Sequence, residues 1–121
     1  MSTSIVVVGA CGTGKTTLVH ALLARGYQAR VVAQEHSAIP ELWAHGGWPD
    51  ALIMLDASPA IISQRRHNEF PPWLYDQQRA RLRSAEAHAT LYLHTDDLPS
   101  DEVEQRVTAH LHHLHIDPQN R

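Results

Sequence analysis

One cysteine in 121 residues excludes an internal disulfide, so the fold cannot depend on oxidation. Long apolar runs are also missing. The longest, such as Ile5–Val8 and Ala51–Leu55, fall far short of the roughly 20 residues a membrane-crossing helix needs, which argues against a membrane partner. There is no positive excess: a net charge of -3 argues against general binding of nucleic acid or of anionic membranes. Internal repeats and low-complexity linkers are absent. The first residues lack the basic and apolar sections of a secretory signal, and a cytoplasmic location is expected. What remains, 43% hydrophobic and 19% charged residues, is the composition of an ordinary globular domain, and a single domain over 1–121 is expected.

Short strands and helices alternate along the chain. Ile5-Val6-Val7-Val8 reads as a strand covered on both faces, residues 29–34 as a second, Ala51–Asp56 as a third and Thr90–Leu93 as a fourth. Lys15–Arg25 reads as a helix stopped by Gly26, with Leu18 and Leu22 on one face. Ser58-Pro59 opens a helix that ends near Arg66, and Phe70-Pro71-Pro72 places 68–73 in a loop. One long helix is expected over 74–88, with Leu74, Leu82 and Ala85 packed and Arg79 and Arg83 sharing another face. A last helix over 99–114 carries Val103, Val107, Leu111 and Leu114 along one side, with Asp101 and Glu102 in its first turn. The order implies an α/β fold, a four-stranded parallel sheet in the order 2-1-3-4 between layers of helices.

Gly9-Ala10-Cys11-Gly12-Thr13-Gly14-Lys15-Thr16 matches G-x-x-x-x-G-K-[ST] at each defined position, and it lies where the mechanism needs it, after a strand and before a helix. Glycines allow backbone N–H groups to converge on phosphate oxygens, and the helix N-terminus adds partial positive charge. Lys15 is then expected at the β- and γ-phosphates of ATP or GTP, Thr16 on Mg²⁺, and Thr17 at the α-phosphate or in helix packing. Cys11 reads as a small filler rather than a redox group.

The chain resembles the P-loop kinase group, the small phosphotransferases that include adenylate and thymidylate kinases. Beyond the loop, the resemblance rests on Leu52–Pro59 followed by Arg65-Arg66, on Gln77–Arg83, and on Leu91–Asp96 followed by Asp101-Glu102-Val103. It implies a reduced three-layer P-loop NTPase fold with a lid-like segment at 67–83. It also implies that Arg65 flanks the nucleotide base and that Arg79 and Arg83 act on the transferring phosphoryl group. Arginines at i,i+4 repel slightly unless an anion lies near them, which agrees with that role. The lid is expected to be mobile until nucleotide binds.

Two carboxylates compete for Mg²⁺. Glu35 ends the second strand, where the kinases carry a carboxylate near metal and substrate; Asp56 ends the third and fits the generic Walker B pattern, or caps the helix near Ser58. Only 37–49 is available where the kinases insert an acceptor-binding element, with Trp43 and Trp48 lining a small pocket or packing on the sheet. The acceptor is therefore left as a small molecule. A non-catalytic nucleotide-sensing module acting through a protein partner is the alternative. His110, His112, His113 and His115 lack the i,i+4 spacing of helical metal pairs and read as packed or surface groups, while His36 is open between substrate contact and packing.

Overall fold

Ile5, Val6, Val7 and Val8 have no exposed surface, because the strand they form, β1 (Ile5–Gly9), lies inside a sheet covered on both faces. The computed structural model describes residues 3–119. β1 pairs in parallel with β2 (Ala29–Val31) on one side and β3 (Ala51–Asp56) on the other, and β4 (Leu91–His94) pairs in parallel with β3. The order is β2-β1-β3-β4, as the sequence predicts.

Alternate residues feed alternate faces. Ile5, Val7, Ile53 and Leu55 pack against α1 (Lys15–Ala24) and α5 (Ser100–His113), through Leu18 and Leu22 from the first and Val103, Val107 and Leu111 from the second. Val6, Val8, Leu52 and Met54 pack on the opposite face with Trp43, Leu82 and Ala85. α2 (Pro59–Arg66) closes the carboxyl end of the sheet, where Ala10, Ala57, Ile62 and Phe70 make a small apolar cluster. Residues 116–119 are strapped across the α1–β2 turn: Ile116 enters the α1/α5 core, and Gln119 N–H donates to Gly26 O at 2.8 Å.

Several boundaries depart from the sequence reading. The second strand stops at Val31, and Gln34–His36 is a 3₁₀ turn rather than its continuation. Gln34 causes this: its buried amide donates to Ile39 O at 2.6 Å and accepts from Trp43 N–H at 3.0 Å, folding 37–43 back onto the sheet. Pro71-Pro72 does not merely break structure. Pro71 is the cap and Pro72 the first residue of α3 (Pro72–Arg81), where a missing N–H costs nothing. The expected single helix over 74–88 is divided at Leu82, whose backbone (φ -93°, ψ 2°) leaves the helical region and starts α4 (Arg83–His88). Leu82 and Ala85 are buried, as expected, while Leu74 is only partly so. Leu114 is 36% exposed because α5 ends one residue before it.

Candidate functional site

In an all-parallel sheet every strand delivers its following loop to the same edge. The glycine loop after β1, the 3₁₀ turn after β2, the start of α2 after β3 and Thr95–Pro99 after β4 therefore meet at the carboxyl end. α3 covers this edge and packs on the 3₁₀ turn.

The glycines of the loop are required by the backbone. Gly9 is paired beside Leu55, and a Cβ there would lie 2.2 Å from Leu55 O. Gly14 caps α1 with φ 98°, in the left-handed region. Thr13, buried, donates its hydroxyl to Ala10 O at 2.8 Å and ties the loop to its own start. Thr16 and Thr17, in the first turn of α1, are exposed at the mouth.

Lys15 is the chain's single lysine, and it is 9% exposed. Its Nζ donates to Gly9 O at 2.6 Å, Ala10 O at 2.9 Å and Glu35 Oε2 at 2.9 Å. Glu35 is 3% exposed, and its second oxygen, Oε1, is the single buried side-chain polar atom among the described residues without a hydrogen-bond partner. A buried carboxylate oxygen with no protein partner is a position that a water, an ion or a ligand group satisfies. His36 Nε2 stands 3.6 Å from Glu35 Oε2 and 3.4 Å from Cys11 Sγ.

Gln78 on α3, 2% exposed, closes the loop from above: its Oε1 accepts from Cys11 N–H at 3.0 Å and its Nε2 donates to Cys11 Sγ at 3.3 Å. Arg81, one turn on, donates to Glu35 O at 3.4 Å. Sequence reasoning singled out neither, although Leu74, Gln78, Arg81 and Leu82 fall at i, i+4, i+7 and i+8, one helical face. Arg65 on α2 donates to Gly12 O at 3.2 Å and to Thr95 Oγ1 at 3.0 Å. Beside it a cleft of about 460 Å³ opens between α1 and α5, with Gly12, Gly14, Thr17, Arg65, Leu98 and Asp101 among its lining.

Asp56 and Arg79 belong to a separate cluster. Asp56, 3% exposed, accepts from Ala57 N–H and Tyr75 OH, both at 2.9 Å, and further from Tyr92 OH and Arg79 Nη1. Both oxygens are filled by protein donors. The cap of α2 is instead Ser58, whose Oγ accepts from Ile61 N–H at 3.4 Å, so Asp56 does not cap that helix. Arg79 also pairs with Glu86 at 2.8 Å and lies over the Tyr92 ring, turned toward the Asp56 cluster. Burial works against its charge, but the Tyr92 hydrogen bond and the field of Asp56 outweigh that and hold it above the ordinary arginine value. Burial, then the hydrogen bond to Asp56, pushes the Tyr75 phenol up to about 12. Arg83 is exposed and lines a shallow depression with Asp76, Arg79 and Glu86.

The structure thus brings together the glycine loop, Lys15, Glu35 and Arg65, and sets Arg79, Arg83 and Asp56 apart from them. Of the histidines, His110 sits 2.9 Å from Thr90 Oγ1, and burial, then the neighbouring His113, lowers its pKa. No helix among the described residues is long and apolar enough to cross a membrane. No family model matches the chain, and no curated protein matches it.

Proposed function

We propose that this chain is a P-loop protein of the kinase-like type, binding the triphosphate of ATP or GTP with Mg²⁺ and transferring a phosphoryl group to a small acceptor. The observation that carries the reading is the sole lysine. It lies at the first position of α1, behind a loop whose glycines adopt conformations other residues avoid, and is held by Glu35, whose Oε1 lacks a partner. A lysine held by a carboxylate and two carbonyls is placed to exchange those acceptors for phosphate oxygens.

The donor set fits Mg²⁺. Glu35 offers the unpaired carboxylate oxygen and Thr16 an exposed hydroxyl, both hard ligands of the kind that ion takes. Mg²⁺ supplies neutralisation of phosphate charge when bound. Asp56 is a poor candidate, because protein donors already occupy both its oxygens. Arg65 and the cleft beside Gly12 and Leu98 suit the nucleoside, with the guanidinium against the base. Arg81 donates to the backbone carbonyl of Glu35, whereas Arg79 is engaged by Asp56 and Glu86, and Arg81 is the arginine we assign to the transferring phosphoryl group.

A second reading, a nucleotide-sensing module without turnover, draws support from two observations. Arg79 is engaged by Asp56 and Glu86, and residues 37–43, folded onto Gln34, leave little room for an acceptor. In that case Gln78 and Arg81 would report nucleotide by shifting α3.

The test is thermal unfolding with MgATP or MgGTP. At a hundredfold excess over Kd, nucleotide should stabilise by about 2.7 kcal/mol, a shift of several degrees. Lys15→Ala should lose most of the gain, and equal gains in both proteins would overturn the reading. Release of ADP with a panel of small acceptors, set against none, separates transfer from sensing.

A further inference from the structure

Cys11, Glu35 and His36 come from two segments of chain that the fold brings face to face. The thiol sulfur, an imidazole nitrogen and a carboxylate oxygen lie within 4.8 Å of one another. We propose that these three side chains form a binding site for a borderline-soft divalent transition metal, Zn²⁺ foremost. The proposal does not rest on the nucleotide reading.

The spacing agrees with coordination. Zinc bonds of about 2.3 Å to sulfur and 2.0–2.2 Å to nitrogen or oxygen, at tetrahedral angles, separate neighbouring ligand atoms by roughly 3.4–3.6 Å. Sγ and Nε2 are 3.4 Å apart, and Nε2 lies 3.6 Å from Oε2, the Glu35 oxygen that Lys15 holds, so Oε1 reaches the ion by a turn of the carboxylate. Sulfur and imidazole ligands also separate this site from Mg²⁺, which prefers oxygen.

The surroundings fix the ligands. Gln78 holds Cys11 through its N–H and donates to its sulfur, which lies 3.4 Å from His36 Nε2. Lys15 orients the Glu35 carboxylate through Oε2. The lysine's charge opposes a dication, but two carbonyls share that charge, and Oε1 of Glu35, the oxygen offered to Mg²⁺ above, has no protein partner, so the two ions compete for it. The thiol loses its proton on coordination, so thiolate and carboxylate together offset the ion and leave the site with the single charge of Lys15. Three protein ligands leave one position to water, the pattern of exchangeable rather than closed structural zinc. His36 is 58% exposed, which gives the ion an entry path.

Cobalt tests this directly, because a thiolate ligand gives Co²⁺ a charge-transfer absorption that histidines alone do not. The reduced full-length protein should bind one Co²⁺ with that absorption, and Zn²⁺ should abolish it. Cys11→Ser should remove it. His36→Ala, a change at an exposed side chain, should weaken cobalt affinity at least about tenfold, with Glu35→Gln weakening it too. His112→Ala, at the exposed end of α5, should change nothing, which separates this site from the other histidines. Absence of the charge-transfer band, or equal affinity in the wild type and both His36→Ala and Glu35→Gln, would overturn the proposal. Because no nucleotide is present, and His36→Ala should keep its MgATP stabilisation, loss of this site and loss of the nucleotide reading are told apart.

Discussion

Tyr75 shows how far a single side chain is set by partners distant in sequence. Its phenol donates to Asp56 across 19 positions, in a cluster that also holds Tyr92 and Arg79. Its folded value, about 12, lies above the ordinary 10, so folding favours the neutral phenol. The stability this contributes is complete below pH 10 and is lost as pH rises toward about 12. Urea midpoints followed through that window should fall in the wild type and fall less in Tyr75→Phe; parallel curves would contradict the assignment. Lys15 was legible in the sequence because the loop motif is local, and Glu35 because it follows a strand. Gln78 was not, since its partner Cys11 is 67 positions away and only the closed fold joins them. In the sequence, which favours Glu35, Asp56 still rivals it for metal, because nothing local reveals that two tyrosines and an arginine fill it.

At the level of elements, β1 and the glycine loop form one unit whose geometry depends on close approach. A Cβ at Gly9 would meet Leu55 O at 2.2 Å and Thr13 Oγ1 at 2.9 Å, forcing β1 and β3 apart. Gly14 meets nothing within 4 Å and bears only left-handed strain. Thermal melts should therefore rank the two clearly: Gly14→Ala should cost about 1–2 kcal/mol, whereas Gly9→Ala should exceed about 4 kcal/mol or fail to fold. Similar losses would show that the sheet can open at that point. The existence and order of the elements were readable from apolar runs and turn residues, and Ser58-Pro59 marked its helix start correctly. Boundaries were less so. Gln34 ends β2 early through bonds to Ile39 and Trp43, and Leu82 interrupts a helix in an otherwise helical sequence to fill the space beside Trp43. Both are tertiary demands that override local preference.

Across the whole molecule, α3 joins the glycine loop to Asp56, through Gln78 on one and Tyr75 on the other. On the proposed reading, nucleotide entering the loop acts on that connection. Amide exchange in Pro72–Arg81 should slow when MgATP is added, as it does for segments that close over a ligand; identical exchange with and without it would count against the lid reading. The sheet order itself was legible, because alternating elements with short connections allow few parallel arrangements. The strap across Gly26 carries a consequence for synthesis. One face of the sheet is covered by the first helix and the last, and Ile116 and Gln119 complete the turn that the first helix began. A ribosome releases these segments in order, at about 5–20 residues per second. The opening βα unit therefore emerges with that face bare, waiting several seconds for the helix that covers it. Through that interval Ile5, Val7 and Leu22 lack the Val103, Val107 and Leu111 side chains that cover them in the folded chain.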